Sequence, residues 1–242
     1  MECVICNRRQ SLCCRDGEVF RKYFKYADKQ SVEHEGEYSR LYESFGITTP
    51  HFIRTGFSTE QNLFFNEYRY MEMRSFDETN FDESLFPNVL AMLNRVLAAR
   101  VLPDGSEFRN RRYKTDLVYA LDVLKNRGNV DASLMLEKFL EQEISVVMHG
   151  DFSLSNMALV GDDICLYDFA SAGCAPQWWD LGYFIASLSP NLGRKLYEPL
   201  RSENLSDCIR LAAAVRFGRA LRKNEDVPKR QCIFEYWSEI SS

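Results

Sequence analysis

The chain has 242 residues, 45% hydrophobic and 27% charged, with 35 acidic against 30 basic side chains. That length serves one large domain or two small lobes, and 17 Phe, 12 Tyr and 3 Trp exclude wholesale disorder. A net charge of −5 argues against general nucleic-acid binding, which needs a basic face to neutralise phosphates.

The first seventy-odd residues read as strand-rich. Cys3 to Cys6 and Leu12 to Cys14 are short apolar pieces, and Asp16-Gly17 is a hairpin signal. Val19 to Phe24 is aromatic and β-branched, a strand. From Ser31 to Phe45 the period changes: Glu35, Tyr38, Leu41, Tyr42 and Phe45 fall at helical spacing, and Gly46 supplies the stop. His51 to Phe57 and Asn62 to Met73 read as two further strands. The cysteines of this region, Cys3, Cys6, Cys13 and Cys14, include one C-x-x-C, but the adjacent second pair is badly spaced for zinc. Neighbours in a strand point to opposite faces, so these are read as small strand residues.

Helices dominate from Phe86 onward. Val89, Leu90, Leu93, Val96 and Leu97 make one apolar face, and Pro103-Asp104-Gly105 breaks the chain after it. Leu117 to Leu124 and Leu134 to Leu140 continue the helical pattern. Two short strands follow, Ile144 to Met148 and Ile164 to Tyr167, before a mostly helical C-terminal third that includes Leu205 to Leu221 and Ile233 to Trp237. No apolar run approaches the ~20 residues that cross a bilayer and the N-terminus carries no signal-peptide pattern. The expectation is a cytoplasmic protein with reduced thiols.

The chemistry concentrates in His149-Gly150-Asp151-Phe152-Ser153-Leu154-Ser155-Asn156, followed by Asp168 twelve residues after the Asn. Each Asp comes at or just after the end of a strand, where a turn presents it at the rim of a core, and the strand before Asp168 can lie beside the one before His149. Two carboxylates and an amide around one space suit a hard cation with oxygen ligands, above all Mg2+, and hence phosphoryl transfer. Any one of these residues alone is an ordinary turn residue; the spaced set is not.

The string H-G-D-x-x-x-x-N, then a strand and D-F, resembles the catalytic and metal-binding motifs of the aminoglycoside phosphotransferase and choline kinase superfamily, a small-molecule branch of the protein-kinase-like fold. The likeness continues through Ala172-Gly173, Pro176 and Trp179-Asp180-Leu181, so residues 144–184 carry it. It implies an α+β bilobal protein-kinase-like fold. Residues 1–78 would form a small β-rich nucleotide-binding lobe, and residues 79–242 a mainly helical lobe for catalysis and acceptor binding.

The resemblance also implies roles. Asp151 would be the catalytic carboxylate that accepts or orients the proton of the attacking hydroxyl, with His149 bracing its loop. Asn156 and Asp168 would hold Mg2+ against the phosphates of ATP or GTP. Asp180 would anchor the loop through backbone hydrogen bonds. In the first lobe, Lys22 paired with Glu35 would take the nucleotide's phosphates, with Arg21 and Lys25 as competitors because strand register is open. Glu72 and Met73 would meet the base at a hinge, and Asn7, in Asn7-Arg8-Arg9-Gln10-Ser11, would stand in the phosphate loop where protein kinases carry glycines.

The function so implied is transfer of the γ-phosphate to a hydroxyl of a metabolite, an amino alcohol such as choline, a sugar or an aminoglycoside. Trp178 and Trp179 offer an aromatic face for a quaternary ammonium, against the plainer reading of core packing. Arg210, Arg216, Arg219 and Arg222 form a basic stripe, read as a solvated face that could also meet an anionic acceptor. Two alternatives stand beside the small-molecule kinase: a compact protein kinase, and a non-catalytic kinase-like protein that binds nucleotide.

Overall fold

The computed structural model describes residues 3–7 (backbone only), 11–76, 80–99, 117–118, 122, 125–126 and 146–239. The helices expected at Leu134 to Leu140 and over most of Leu117 to Leu124, the break at Pro103-Asp104-Gly105, and Arg8, Arg9 and Gln10 lie outside these residues. The chain forms two compact units. One is Met1–Phe76 with Asn156–Ala172; the other is Asp77–Ser155 with Gly173–Ser242.

The first unit is built on an antiparallel sheet of β1 (Cys3–Asn7), β2 (Ser11–Asp16), β3 (Val19–Phe24), β4 (Phe52–Ser58) and β5 (Leu63–Arg69), in the order β1-β2-β3-β5-β4. Asp16 pairs with Val19 across the β2–β3 turn, where Gly17 takes φ +59°. Positive φ is the conformation a two-residue hairpin loop demands and glycine adopts without strain. Alternation then sorts the strand residues. Cys14, Tyr23 and Phe65 form an apolar cluster on one face, while Cys13 and its register partner Lys22 face a cavity on the other.

Helix α1 (Lys29–Ser44) packs on that sheet. The Asp28 side chain caps it by accepting from the Ser31 amide at 2.8 Å, and Val32, Glu35, Tyr38, Ser39 and Tyr42 recur on its buried face. Gly36 lets the helix close on β4, because a Cβ there would run into the Phe52 ring. The helical stretch expected from Ser31 thus begins two residues earlier. The strand expected to run to Met73 ends at Arg69 instead, and Arg74–Ser75 (β6) leaves to pair with β8 (Met157–Val160).

β8 and β9 (Asp163–Leu166) form a hairpin that belongs to this unit. β6 hydrogen-bonds to β8, and the Leu166 amide donates to the Thr48 carbonyl at 2.9 Å. The single cut expected near residue 78 is therefore not how the chain is grouped, since 17 residues return to the first unit. The strand before Asp168 also has a different neighbour from the one expected. It pairs with β8, a four-residue strand too short to stand out in sequence, while β7 (Val146–Met148) pairs with β10 (Gly173–Ala175).

The second unit is mainly helical. It contains α2 (Phe86–Ala99), α3 (Trp179–Ile185), α4 (Pro190–Tyr197), α5 (Glu203–Lys223) and α6 (Val227–Glu239) besides the β7–β10 pair. Twelve residues of α5 are buried, from Leu205 to Ala220. α3 approaches α5 at Gly182, where a Cβ would stand 2.7 Å from that of Cys208. No room exists there for a larger residue. Tyr183 of α3 is buried too, which fixes the Tyr183 hydroxyl relative to α5.

Candidate active site

In the first unit the predicted lysine has found both carboxylates. Lys22 Nζ donates to Glu35 at 2.8 and 3.0 Å and to Asp168 Oδ1 at 2.8 Å. Burial works against the ammonium's charge, but Glu35 and Asp168 outweigh it and the Lys22 pKa rises. Glu35 is only 3% exposed, and burial raises its pKa above the ordinary carboxylate value despite the ammonium beside it.

A buried chain of polar groups holds Glu35 in place. The Tyr68 hydroxyl donates to Glu35 Oε1 at 3.4 Å, and Asn66 Nδ2 donates to the Val32 carbonyl of α1 at 2.7 Å. Thr55 in turn donates to Asn66 Oδ1 at 2.7 Å. The strand register also separates the three candidate cations. Arg21 points to the opposite face and pairs with Glu67 at 2.7 Å, and Lys25 lies beyond the end of β3. Asn66 and Tyr68 escaped sequence reading because only the β5–α1 packing gives them partners.

Lys22, Glu35 and Asp168 line a cavity of about 340 Å³ together with Tyr70, Met71 and Met73. Glu72, predicted beside Met73, is exposed and does not line it. Asn7 closes β1, and its side chain lies outside the described residues. Asp168 adopts φ +67°, the left-handed region that Asp tolerates better than most residues, and is 39% exposed. Asn156 sits at the same end of the β8–β9 hairpin, its carbonyl accepting from the Tyr167 amide at 3.1 Å.

Asn156 and Asp168 supply an amide and a carboxylate oxygen, a donor set that fits magnesium. Among the described residues no cluster of three or more His, Cys, Asp or Glu could hold a metal unaided. Magnesium keeps several waters and takes further ligands from phosphate. At most it would be held jointly with a nucleotide.

The second unit holds the H-G-D loop. Asp180 accepts from the amides of His149 at 2.7 Å and Gly150 at 3.1 Å, which is the loop-anchoring geometry expected of it. Gly150 takes φ +78°, so a side chain there would strain the turn. His149 is fully buried; its Nδ1 accepts from the Asp151 amide at 3.3 Å and its ring meets Phe152 edge-on. The imidazole therefore shapes the loop from below.

Asp151 itself is 38% exposed. Its carboxylate accepts from the buried Tyr183 hydroxyl, which accepts from Arg219 at 2.8 Å. Arg216 Nη1 lies 3.9 Å from Asp151 Oδ1. These three partners were not foreseen as such: the arginines read as a solvated stripe, and Tyr183 as one aromatic among many. A spacing of three from Arg216 to Arg219 was the available signal.

Burial raises the Asp180 pKa from the ordinary 3.8 to about 7; the His149 and Gly150 amides pull it down, and the Asp151 charge pushes it up. The folded protein thus holds a proton here that the unfolded chain releases between about pH 4 and 7. Stability from this group is full below that window and is lost as pH rises through 7. Urea unfolding at pH 4.5 to 8 should show that decline, and Asp180→Asn should flatten it.

The model of a phosphotransferase enzyme family (APH) matches residues 16–208. No curated protein matches the chain significantly. A choline/ethanolamine kinase family protein from Mesorhizobium loti is similar in structure, with 12% identity and a TM-score of 0.69 over 98% of this chain and 86% of its own. A GDP complex of aminoglycoside 2'-phosphotransferase-IIIa gives 13% and 0.65, over 98% and 92%. A thermostable mutant of the aminoglycoside phosphotransferase APH(4)-Ia, in ternary complex with AMP-PNP and hygromycin B, gives 11% and 0.70, over 100% and 94%. At such identities the likeness is one of fold, the bilobal protein-kinase-like class that the motifs imply.

Proposed function

The chain belongs to the phosphotransferase enzyme family, and from that premise we propose that it is a kinase transferring the γ-phosphate of ATP or GTP to a hydroxyl of a small molecule. The observation that carries this reading is Lys22, shared between Glu35 and Asp168 at the wall of a cavity large enough for part of a nucleotide. An ammonium held by two carboxylates keeps its charge and its position, and both are needed to bind phosphate oxygens.

In this reading Asn156 and Asp168 hold Mg2+, which when bound neutralises phosphate charge. Asp151 receives the proton of the acceptor hydroxyl as its oxygen bonds to the γ-phosphorus and the bond to the β–γ bridging oxygen breaks, releasing the nucleoside diphosphate. His149 and Asp180 keep the Asp151 backbone in place. The setting is the cytoplasm, where nucleotide triphosphates are plentiful and thiols such as Cys13 stay reduced.

Thermal unfolding with Mg-ATP and with Mg-GTP tests the nucleotide half. A ligand at a hundred times its Kd adds about 2.7 kcal/mol. In a chain of this size that raises the midpoint by roughly 5–10 °C. The larger rise identifies the donor; no rise with either nucleotide defeats the reading.

A further inference from the structure

Arg216 and Arg219 stand three apart on α5, so both side chains leave one face of the helix. Both reach Tyr183. The Arg216 guanidinium lies 4.9 Å from the Tyr183 ring centroid, and Arg219 donates to its hydroxyl. Arg216 Nη1 is 3.9 Å from Asp151 Oδ1, near enough for charge attraction and too far for a direct hydrogen bond.

The Arg216 side chain is 11% exposed, and the end that approaches the part-exposed Asp151 carboxylate is Nη1, while Nε is sealed from solvent. A guanidinium carries five N–H donors and cannot shed its charge. Keeping one largely out of water, with one carboxylate at a distance, is unfavourable unless another acceptor completes it. That acceptor would arrive beside Asp151.

We infer that the acceptor substrate is an anionic alcohol, whose carboxylate or phosphate docks on Arg216 while its hydroxyl reaches Asp151. This rests on the kinase reading above and narrows it. Hydrogen bonds of about 2.8 Å to each group, across the 3.9 Å between them, place the anion only a few bonds from the reacting hydroxyl. A hydroxy acid or a phosphorylated short polyol has that form. Arg219 adds positive field to the same spot without leaving Tyr183.

The converse also holds. A cationic acceptor would approach Asp151 against two guanidinium groups, a repulsion that discriminates as effectively as an attraction. Of the two tryptophans that could have held a quaternary ammonium, Trp179 is buried and packs on Tyr183 at 5.8 Å between centroids, and Trp178 lines a different cavity with Leu93, Val96 and Leu181.

The test is transfer of label from γ-labelled Mg-ATP or Mg-GTP to four pools of small alcohols: hydroxy acids, phosphorylated polyols, neutral sugars and polyols, and amino alcohols with aminoglycosides. Labelled product is expected from one of the two anionic pools, and which one separates carboxylate from phosphate. For the acceptor so found, Arg216→Gln should raise its KM ten- to a hundredfold, the loss of a charge-assisted contact. The KM for the nucleotide should stay within twofold, and Arg216→Lys should recover part of the loss. Unchanged thermal midpoints for Arg216→Lys keep the comparison from being one of folding. Transfer to the neutral or cationic pools, or an acceptor KM indifferent to Arg216→Gln, overturns the inference. No transfer to any pool, with nucleotide still bound, overturns the kinase reading and this inference with it.

Discussion

Asp151→Asn should lower turnover by roughly three orders of magnitude, the scale of a lost general base, and leave Mg-nucleotide affinity within a few-fold. The amide has nearly the shape of the carboxylate and can still accept from Tyr183, so the loop keeps its hydrogen bonds through His149 and Asp180. It cannot accept the hydroxyl proton, and it leaves Arg216 without the carboxylate 3.9 Å away. Single-turnover rates and calorimetric titration with Mg-ADP separate the two effects. Lost binding with intact turnover would mean that another carboxylate does the work.

Lys22→Met should destabilise the fold by about 3–5 kcal/mol, because it strands Glu35 as an unpaired buried charge. It should abolish nucleotide binding as well. The double variant Lys22→Met with Glu35→Leu is the informative partner. Replacing the pair by apolar residues of similar size removes the stranded charge, so most of the stability should return. Nucleotide affinity should not. Chemical unfolding and a Mg-ATP titration on all three proteins check this, and recovery of affinity in the double variant would remove Lys22 from the phosphate site.

The two results bear on different halves of the molecule. Lys22 reports on the unit that carries the cavity, Asp151 on the unit that carries the H-G-D loop. Asp180 stands apart from both, since its contacts are to backbone amides and its effect appears as a slope of stability against pH.

Much was legible in the chain itself. Periodicity placed β3 over Val19–Phe24, α1 up to Gly46 and α5 around Leu205 to Leu221, because strand and helix each expose a regular apolar stripe. Spacing singled out Asp151, Asn156 and Asp168, since turns after short strands concentrate side chains whose chemistry is local, and the family resemblance added Asp180. Where pairing crosses long stretches of chain, the sequence is silent. Nothing in Met157–Val160 announces a strand, and nothing in Arg74–Ser75 announces its partner, yet the strand before Asp168 lies beside Met157–Val160 rather than beside the expected strand before His149.

Tertiary structure alone decided among the cations. Arg21, Lys22 and Lys25 are equivalent as residue types, but β3 register turns Lys22 to Glu35 and Asp168 and Arg21 to Glu67. The same holds for Arg216 and Arg219. On a helical wheel they are a basic stripe, and a basic stripe is ordinarily solvated. Only the close approach of α3 to α5 at Gly182 brings Tyr183 under them and Asp151 within reach, since two helices can pack that tightly only where one side chain is missing. Sequence thus singled out the residues that the proposed phosphoryl transfer would use. Packing determined which charges surround them, because charge proximity depends on distances between elements that the order of residues does not encode.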